Sequence, residues 1–307
     1  MIFDKILKLP YILRWIWSHP LNKEKKIFSI IKFFNWQIIS LILKKKKFRW
    51  VENTSFEISK SDTGMTGNLY GGFLEFEDMV FLMHALKKDY LFIDVGANIG
   101  AYTLIASSIV GAKTIAYEAY KPTFKKLFNQ IKLNNLENLV ALKNRGVGNE
   151  NKILSFTTNK QDMNSVAILG KDFEVVDVEF CKLDDDLTFD NENIIVKIDV
   201  EGYEMNVIEG AQKMFSSPNV IAVIVEHNGL GKEFGFTDQN VYNKMLDFGF
   251  SAYSYLPFQR SFISLNNYKT KNKYSDNVIY IKDFNKIIYN CKNAKYRNIS
   301  ICWNKKI

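Results

Sequence analysis

The residues best suited to chemistry form a short glycine-containing loop and a carboxylate that follows at a distance. The loop reads Asp94-x-Gly96-x-Asn98-x-Gly100. Glu118 ends a second apolar run, 18 positions after Gly100. An apolar strand that turns through two glycines into a helix presents backbone N–H groups, and a carboxylate after the next strand can accept hydrogen bonds from both hydroxyls of a ribose. The spacing therefore predicts a site for an adenosine-containing ligand.

The glycine spacing indicates which ligand this is. A dinucleotide loop needs G-x-G-x-x-G, but here Asn98 takes the place of the middle glycine and Asp94 precedes the first glycine by two residues. A carboxylate at that point repels a pyrophosphate and suits a ligand with an ammonium and a sulfonium group. The loop thus favours S-adenosylmethionine over NAD, and an ordinary strand-to-helix turn is the alternative. We expect these residues to contact the cofactor: Asp94, Gly96, Ala97, Asn98, Gly100, Thr103 and Glu118.

A second group of polar residues follows two later apolar runs. Asp199 and Glu201 come after the first run, and Glu226 and His227 after the second. S-adenosylmethionine is a methyl donor; transfer of its methyl group to a hydroxyl would need a base, and two nearby carboxylates raise the pKa of one of them. We therefore expect Asp199, Glu201 and His227 in catalysis, and Glu204 and Glu226 at the acceptor. The alternatives are that Asp199 binds the methionine ammonium, that Glu204 caps a helix, and that His227 is a satisfied loop residue.

Several separated motifs, all in one order, carry a family resemblance. They are D-V-G-A-N-I-G with the following Y-T, Glu118 at a strand end, K-I-D-V-E-G-x-E with a later G-A, and I-V-E-H at residues 224–227. Together they resemble the FkbM-type family of S-adenosylmethionine-dependent methyltransferases over residues 66–281. The resemblance implies the fold and the methyl donor, but not the acceptor. Two positions depart from the family pattern: Ala119 replaces a proline, and Asn149 stands where an acid is common.

Other chemistries find little support in the sequence. The three cysteines have no C-x-x-C spacing and the three histidines are scattered, so neither a disulfide framework nor a metal site is predicted. There is no N-P-P-Y run and no Pro-Cys pair, and this absence together with the family resemblance favours O-methylation. A divalent ion bound by paired carboxylates remains open. Reduced cysteines are typical of the cytoplasm, where we expect this protein.

The hydrophobic pattern predicts the elements that must position these residues. From residue 91 onward, apolar strands alternate with helical patterns, which is typical of a doubly wound, mostly parallel α/β sheet of Rossmann-like class I methyltransferase type. The predicted helices cover residues 75–86, 101–110, 122–134, 204–215 and 238–248. The other predictions are a short strand at 53–61, a glycine-rich turn at 63–72, a strand pair at 152–157 and 175–182, and an antiparallel edge within 251–281, best at 277–281.

Positive charge is concentrated in residues 1–50, which we predict to be a helical extension of a methyltransferase domain at 51–307. This extension has twelve lysines and arginines against two acidic residues, a net charge of +10, whereas the whole chain carries +8. Its apolar stretch at 27–43 contains Lys32 and is too short for a confident transmembrane span. It suits either a helix on an anionic membrane surface or a helical lid on the catalytic sheet with solvated lysines. No nucleic-acid partner is expected, because the basic residues do not continue through the catalytic part.

These observations predict an S-adenosylmethionine-dependent O-methyltransferase that acts on a hydroxyl of a glycan, a lipid-linked sugar or a secondary metabolite. The glycan is preferred because the basic extension could bring the enzyme to a membrane where such chains are assembled. The contrasting hypothesis is a non-catalytic module that keeps the methyltransferase fold and uses the basic extension as a tether. The intact loop glycines, Glu118 and Asp199 argue against it.

Overall fold

The computed structural model describes residues 2–60, 62–158, 166–167, 174–188, 192–269 and 272–307. The chain forms two compact units, one made of Met1–Leu74 with Tyr296–Ile307 and the other of Glu75–Lys295. The boundary predicted at residue 50 lies inside the first unit, and the division into an extension and a domain stays a prediction.

The secondary structure is numbered along the chain. The helices are α1 (Ile2–Ser18), α2 (Lys26–Ile42), α3 (Thr63–Gly71), α4 (Phe76–Ala85), α5 (Ala101–Leu104), α6 (Lys121–Leu133), α7 (Leu183–Asp186), α8 (Glu204–Glu209), α9 (Gln212–Ser216), α10 (Asp238–Asp247) and α11 (Phe284–Lys292). The strands are β1 (Lys46–Arg49), β2 (Ser55–Ile58), β3 (Leu91–Val95), β4 (Lys113–Tyr117), β5 (Val140–Lys143), β6 (Gly146–Val147), β7 (Lys152–Thr157), β8 (Val175–Cys181), β9 (Ile194–Ile198), β10 (Val220–Glu226), β11 (Ser251–Leu256), β12 (Ser261–Ser264), β13 (Asn277–Ile281), β14 (Asn298–Ile299) and β15 (Lys305–Lys306).

The larger unit is built on a sheet of eight strands in the order β12-β11-β13-β10-β9-β3-β4-β5. The five strands from β10 to β5 run parallel, and β13, β11 and β12 join by antiparallel pairing. Every residue of β3 and β9 is buried, as expected for parallel strands covered on both faces. Alternate residues of these strands pack against side chains of α8, α9 and α10. The predicted doubly wound, mostly parallel fold is confirmed.

Most predicted elements occur within a residue or two of their expected bounds. The helices α4, α6 and α10 and the antiparallel pair β7 and β8 are confirmed. Strand β13 is antiparallel as predicted, but it lies between β10 and β11, and β12 forms the outer edge. The predicted helix at 101–110 consists of α5 and a following π-helical turn, Ile105–Val110.

The glycine-rich turn predicted at 63–72 was wrong, because this segment forms helix α3. Met65, Leu69 and Tyr70 are buried there, and the side chain of Asn68 accepts a hydrogen bond from the backbone N–H of Leu74 at 2.7 Å. Burial of three large side chains outweighs the low helix propensity of the glycines. This helix therefore depends on tertiary packing, which the local sequence pattern does not indicate.

The helix predicted at 204–215 is split into α8 and α9 at Gly210. A Cβ built at Gly210 would lie 1.9 Å from the backbone oxygen of Gly148, which follows β6. The chain therefore needs a residue without a side chain where the two backbones meet. This contact gives a physical reason for the glycine of the G-A pair in the sequence motif.

We expect Gly210→Ala to destabilise the protein by about 1–3 kcal/mol, because a methyl group at this point must displace the backbone of Gly148. Chemical denaturation measures the loss. The exposed Gln212→Ala change, two residues later in α9, is the control and should alter the free energy of unfolding by less than about 0.5 kcal/mol. Equal stabilities of the two variants would contradict the contact.

Candidate active site

The loop after β3 is shaped by two glycines in left-handed backbone conformation. Gly96 has a φ of +82° and Gly100 a φ of +96°. The backbone N–H groups of Gly96 and Ala97 donate to the carbonyl oxygen of Tyr117, the last residue of β4, at 3.0 and 2.9 Å. A Cβ at Gly96 would lie 1.8 Å from the carbonyl oxygen of Asp199. The glycine-containing loop therefore lies against the backbone of Asp199, the residue that follows β9 and begins the second group of polar residues.

Glu118 follows β4 and faces this loop, as the sequence predicts. One carboxylate oxygen accepts from the backbone N–H of Asn98 at 3.0 Å, and the other accepts from that of Tyr120 at 2.8 Å. Burial raises the pKa of Glu118 to about 7, although both hydrogen bonds favour the ionised form. Asn98 itself has a φ of +49°, which turns its N–H toward the carboxylate. The geometry brings Glu118 and the loop together within one small site.

Asp94 and Thr103 stabilise the turn between β3 and α5. Asp94 is buried, and its carboxylate accepts a hydrogen bond from the hydroxyl of Thr103 at 2.6 Å. Burial raises the pKa of Asp94 to about 6. These contacts describe a support for the loop, and a direct contact of either residue with the cofactor stays a prediction.

Three carboxylates meet at the ends of β9 and β10. Oxygen atoms of Asp199, Glu201 and Glu226 all lie within 4.8 Å of one another. Strand β9 ends at Ile198, so Asp199 and Glu201 do not lie on one face of a continuing strand. Glu201 instead reaches the cluster through a turn in which its φ is +53°. We call these three residues the carboxylate cluster.

The carboxylate cluster is partly desolvated. Burial, followed by the neighbouring charge of Asp199, raises the pKa of Glu226 well above its ordinary value. The side-chain amide of Asn228 donates to Glu226 at 2.7 Å and to Glu201 at 3.5 Å. A raised pKa makes a carboxylate a better proton acceptor, and the role of this cluster in proton transfer or cation binding stays a prediction.

Lys197 lies beneath the cluster, and sequence reasoning did not single it out. It is fully buried within β9, and its ammonium group donates to Asp199 and Asn277 at 3.0 Å each. Burial by itself would lower the pKa of Lys197, but the carboxylates of Asp199, Glu75 and Glu226 outweigh burial and raise it above its ordinary value. The lysine is therefore charged. The feature of the sequence that could have identified Lys197 is the presence of a lysine inside an otherwise apolar strand.

The polar network around Lys197 extends to α4, α5 and β13. Tyr102 donates to Glu75 at 2.5 Å, and the amide of Asn277 donates to Asp78 at 3.3 Å. Ser275 also donates to Asp78. Burial raises the pKa of Asp78 to about 8 and that of Glu75 in the same direction. These residues were missed because they come from segments whose proximity only the folded chain creates.

Glu204 and His227 have partners that suggest supporting roles. A carboxylate oxygen of Glu204 accepts from the backbone N–H groups of Val200 and Gly202 at 3.2 and 3.1 Å. Glu204 is buried, which raises its pKa to about 7. The Nε2 atom of His227 lies 2.9 Å from the hydroxyl of Tyr280, and burial lowers the pKa of His227 to about 4. The contacts of Glu204 stabilise the loop before α8, which differs from the helix cap given as its alternative. Those of His227 favour the alternative in which it is a satisfied loop residue.

Among solved structures, the chain is similar to a SAM-dependent O-methyltransferase from Thermotoga maritima, with 11% identity, a TM-score of 0.38, and coverage of 68% of this chain and 65% of that one. It is also similar to a precorrin-6y C5,15-methyltransferase from Geobacter metallireducens, with 13% identity, a TM-score of 0.35, and coverage of 67% and 86%. A third is TrmK from M. capricolum in complex with S-adenosylhomocysteine, with 7% identity, a TM-score of 0.36, and coverage of 67% and 68%. The chain spans less than two thirds of the Thermotoga protein and of a Pyrococcus horikoshii protein, of which it covers 63%. No curated protein matches it.

The family comparison is more informative. The model of the methyltransferase FkbM domain matches residues 94–252, just over half of the chain. The match begins at Asp94 in β3 and ends at Ala252 in β11, so it includes every residue predicted for the site. The chain therefore belongs to the FkbM family of S-adenosylmethionine-dependent methyltransferases, as its motifs predicted.

Proposed function

We propose that this protein is an S-adenosylmethionine-dependent O-methyltransferase that methylates a hydroxyl of a glycan, a lipid-linked sugar or a secondary metabolite. The proposal rests above all on the contact between the loop at Gly96 and the backbone of Asp199. This contact joins a nucleoside-type site at the ends of β3 and β4 to the carboxylate cluster at the ends of β9 and β10. Open parallel sheets bind their ligands at this end of the strands.

The charges of the site fit the proposed cofactor. Glu118 and the carboxylate cluster together supply four carboxylates. The positive charge beside them is the ammonium group of Lys197. This excess of acceptors suits a ligand with hydroxyl, ammonium and sulfonium groups and disfavours a pyrophosphate. Glu118 would accept hydrogen bonds from the ribose hydroxyls, and Asp199, whose side chain is 27% exposed, would bind the ammonium. When bound, S-adenosylmethionine supplies an electrophilic methyl group.

The hydroxyl of the acceptor is a poor nucleophile, and a base must remove its proton as the new bond forms. Asp199 is poorly suited, because its protonation would leave the buried ammonium of Lys197 without the carboxylate that pairs with it at 3.0 Å. Glu201 and Glu226 lie beside it and share the amide of Asn228. We assign proton transfer to this pair, with Glu201 as the first candidate, and the orientation of the cofactor to Asp199.

Neutral His227 is the weaker candidate for the base. A pKa of about 4 gives its imidazole little affinity for a proton at pH 7, and its Nε2 atom is already engaged by Tyr280. A divalent ion bound by the carboxylate cluster would be a different way to activate the hydroxyl. Loss of turnover on treatment with a chelator, restored by added magnesium, would favour that alternative.

Two measurements test the proposed function. Calorimetric titration with S-adenosylmethionine separates an enzyme from a non-catalytic module, since a tether has no reason to keep affinity for the methyl donor. Transfer of an isotopically labelled methyl group to glycan, lipid-linked sugar and small-molecule fractions then identifies the acceptor class. Absence of cofactor binding would overturn the proposal, and label on a nitrogen atom would overturn its O-directed part.

We expect Glu118→Gln to weaken the binding of S-adenosylmethionine by about ten- to a hundredfold, because a charge-assisted hydrogen bond contributes roughly 1.5–3 kcal/mol. Glutamine keeps the shape of the side chain and one oxygen for the backbone N–H groups of the loop. The exposed Glu137→Gln is the matched control and should bind as the parent does. Unchanged affinity in Glu118→Gln, with both variants folded by thermal melting, would remove Glu118 from the site.

The affinity for S-adenosylmethionine should rise with pH. The pKa of Glu118 is raised to about 7 in the unliganded protein, so the group is protonated below that pH. Ribose hydroxyls bind the ionised form better, and a proton must therefore leave on binding. We expect the association constant to increase by up to about tenfold per pH unit below pH 7 and to level off above it. Calorimetry across this range should show a smaller pH dependence in Glu118→Gln. An equal slope in both proteins would assign the effect to other groups.

Separate constants for binding and turnover should distinguish the carboxylates. Glu201→Gln keeps the shape of the side chain but accepts no proton, so turnover should fall by about 10² to 10⁴ with little change in cofactor affinity. Asp199→Asn should mainly weaken S-adenosylmethionine binding. Glu226→Gln tests the second member of the proposed base pair. Thermal melts identify any variant that loses stability, which is a particular concern for Asp199→Asn because Lys197 loses its counter-charge. Full turnover in all three would exclude a carboxylate base.

A further inference from the structure

Helix α2 of the smaller unit has a buried face and, opposite it, an exposed apolar face. One face buries Ser29, Phe33, Trp36 and Ser40. The other carries a row of side chains that are between 45 and 78% exposed, namely Ile27, Ile31, Phe34, Ile38, Leu41 and Ile42. We call this row the α2 stripe. Its spacing of three and four residues keeps it within about 100° of the helix circumference. A surface helix ordinarily has polar residues there, so the stripe requires an explanation.

The buried face is sufficient to hold the helix in its unit. The ring of Phe33 contacts that of Tyr70 in α3 with centroids 5.1 Å apart, and Trp36 contacts Phe48 in β1 at 5.5 Å. At the border of this face, the ammonium of Lys32 donates to the carbonyl oxygen of Ile301 and lies 4.4 Å from the ring centre of Trp303. The stripe meets this face at Phe34, whose ring contacts that of Phe33 with centroids 5.2 Å apart, and its side chains are otherwise exposed. Its apolar character is therefore not explained by the folding of the helix onto its own unit.

Lysines border the stripe at both ends. Lys23, Lys25 and Lys26 lie at the start of α2, and residues 44–47 after its end are all lysines. Five of these seven side chains are exposed, those of Lys23, Lys25, Lys44, Lys45 and Lys47. The ammonium of Lys26 lies 5.0 Å from the ring centre of Trp17, a tryptophan that is 46% exposed. An apolar row, basic ends and an exposed tryptophan suit the boundary between lipid head groups and acyl chains.

We propose that the α2 stripe and its flanking lysines form a docking surface for an anionic lipid bilayer, on which α2 lies parallel to the membrane plane. In the part of the chain that the structure describes, no helix is long and apolar enough to cross a bilayer. Seventeen residues of α-helix span about 25 Å, short of a hydrocarbon core of about 30 Å. One face of α2 packs against its own unit, so the stripe is the face that would insert shallowly into the bilayer.

Charge distinguishes a bilayer from a second copy of the chain. Residues 5–51 contain a single acidic residue, Glu24, whose carboxylate pairs with Lys305 at 3.1 Å. Two copies joined stripe to stripe would bring their lysine clusters together in either orientation, and like charges in contact are unfavourable. Phosphatidylserine head groups supply the opposite charge. The observations therefore favour lipid over self-association.

The test is sedimentation of the full-length protein with vesicles. We expect binding to mixed phosphatidylcholine and phosphatidylserine vesicles at low salt, a steep decrease at high salt, and weak binding to phosphatidylcholine alone. Lys44→Gln with Lys47→Gln should reduce partitioning by roughly 10- to 30-fold, since each lysine near the surface contributes about fivefold. The exposed pair Lys88→Gln with Lys113→Gln in the larger unit is the control and should leave partitioning unchanged.

The apolar part is tested in the same way. Ile31→Gln with Ile38→Gln should reduce partitioning by at least about tenfold. Its control is Ile153→Gln with Val175→Gln, which alters two exposed apolar residues of β7 and β8. Circular dichroism and thermal melting should be the same in all variants and so report an intact fold independently of lipid. Equal partitioning of the stripe variant and its control, or binding that does not depend on phosphatidylserine, would overturn the proposal. A dimer of the parent in sedimentation velocity that the stripe variant abolishes would replace the lipid with a second copy.

Discussion

The buried ammonium of Lys197 is the interaction on which the geometry of the site depends. An isolated charge inside a protein is so unfavourable that it must be paired and fully hydrogen-bonded. Here the partners are Asp199 and Asn277, at 3.0 Å each, and the carbonyl oxygen of Ile198 at 3.3 Å. Because Asn277 belongs to β13, the lysine ties the end of β9 to a strand on the far side of β10. The position of Asp199, and with it that of the carboxylate cluster, follows from satisfying this one charge.

Carboxyl groups accumulate around that lysine. The charges of Asp199, Glu75 and Glu226 act on the lysine, and Asn277 links it to Asp78. Burial raises the pKa of Glu75, Asp78 and Glu226. Perturbed carboxylates that converge at the ends of parallel strands are typical of functional sites. A site of this charge is better matched to a cationic ligand than to a phosphate. The same excess of carboxylates provides acceptors for the proton of a hydroxyl group.

The smaller unit differs in its charge and in its exposed apolar surface. Its helix α2 uses Phe33 and Trp36 for packing and leaves a second apolar row exposed between clusters of lysines. The positive charge of residues 1–50 thus contrasts with the acidic site of the larger unit, where the proposed cofactor binds. Each surface has the charge that its proposed ligand requires: carboxylates for a sulfonium and an ammonium, lysines for anionic head groups.

Local sequence determined the features that depend on neighbouring residues. The turn at Gly96 and Gly100, the strand ends at Glu118 and Asp199, and helices such as α4 and α10 follow from hydrophobic period, backbone conformation and strand direction, so the fold and the family were predictable. Folding alone decided the features that depend on distant residues. The helix at 63–71 forms because Met65, Leu69 and Tyr70 are buried. Helix α8 breaks from α9 where Gly210 meets Gly148, and Glu201 joins Asp199 through a turn rather than along a strand. Lys197 and its partners from α4, α5 and β13 were beyond prediction for the same reason: the stabilising contacts link residues far apart in sequence, and no local pattern records them.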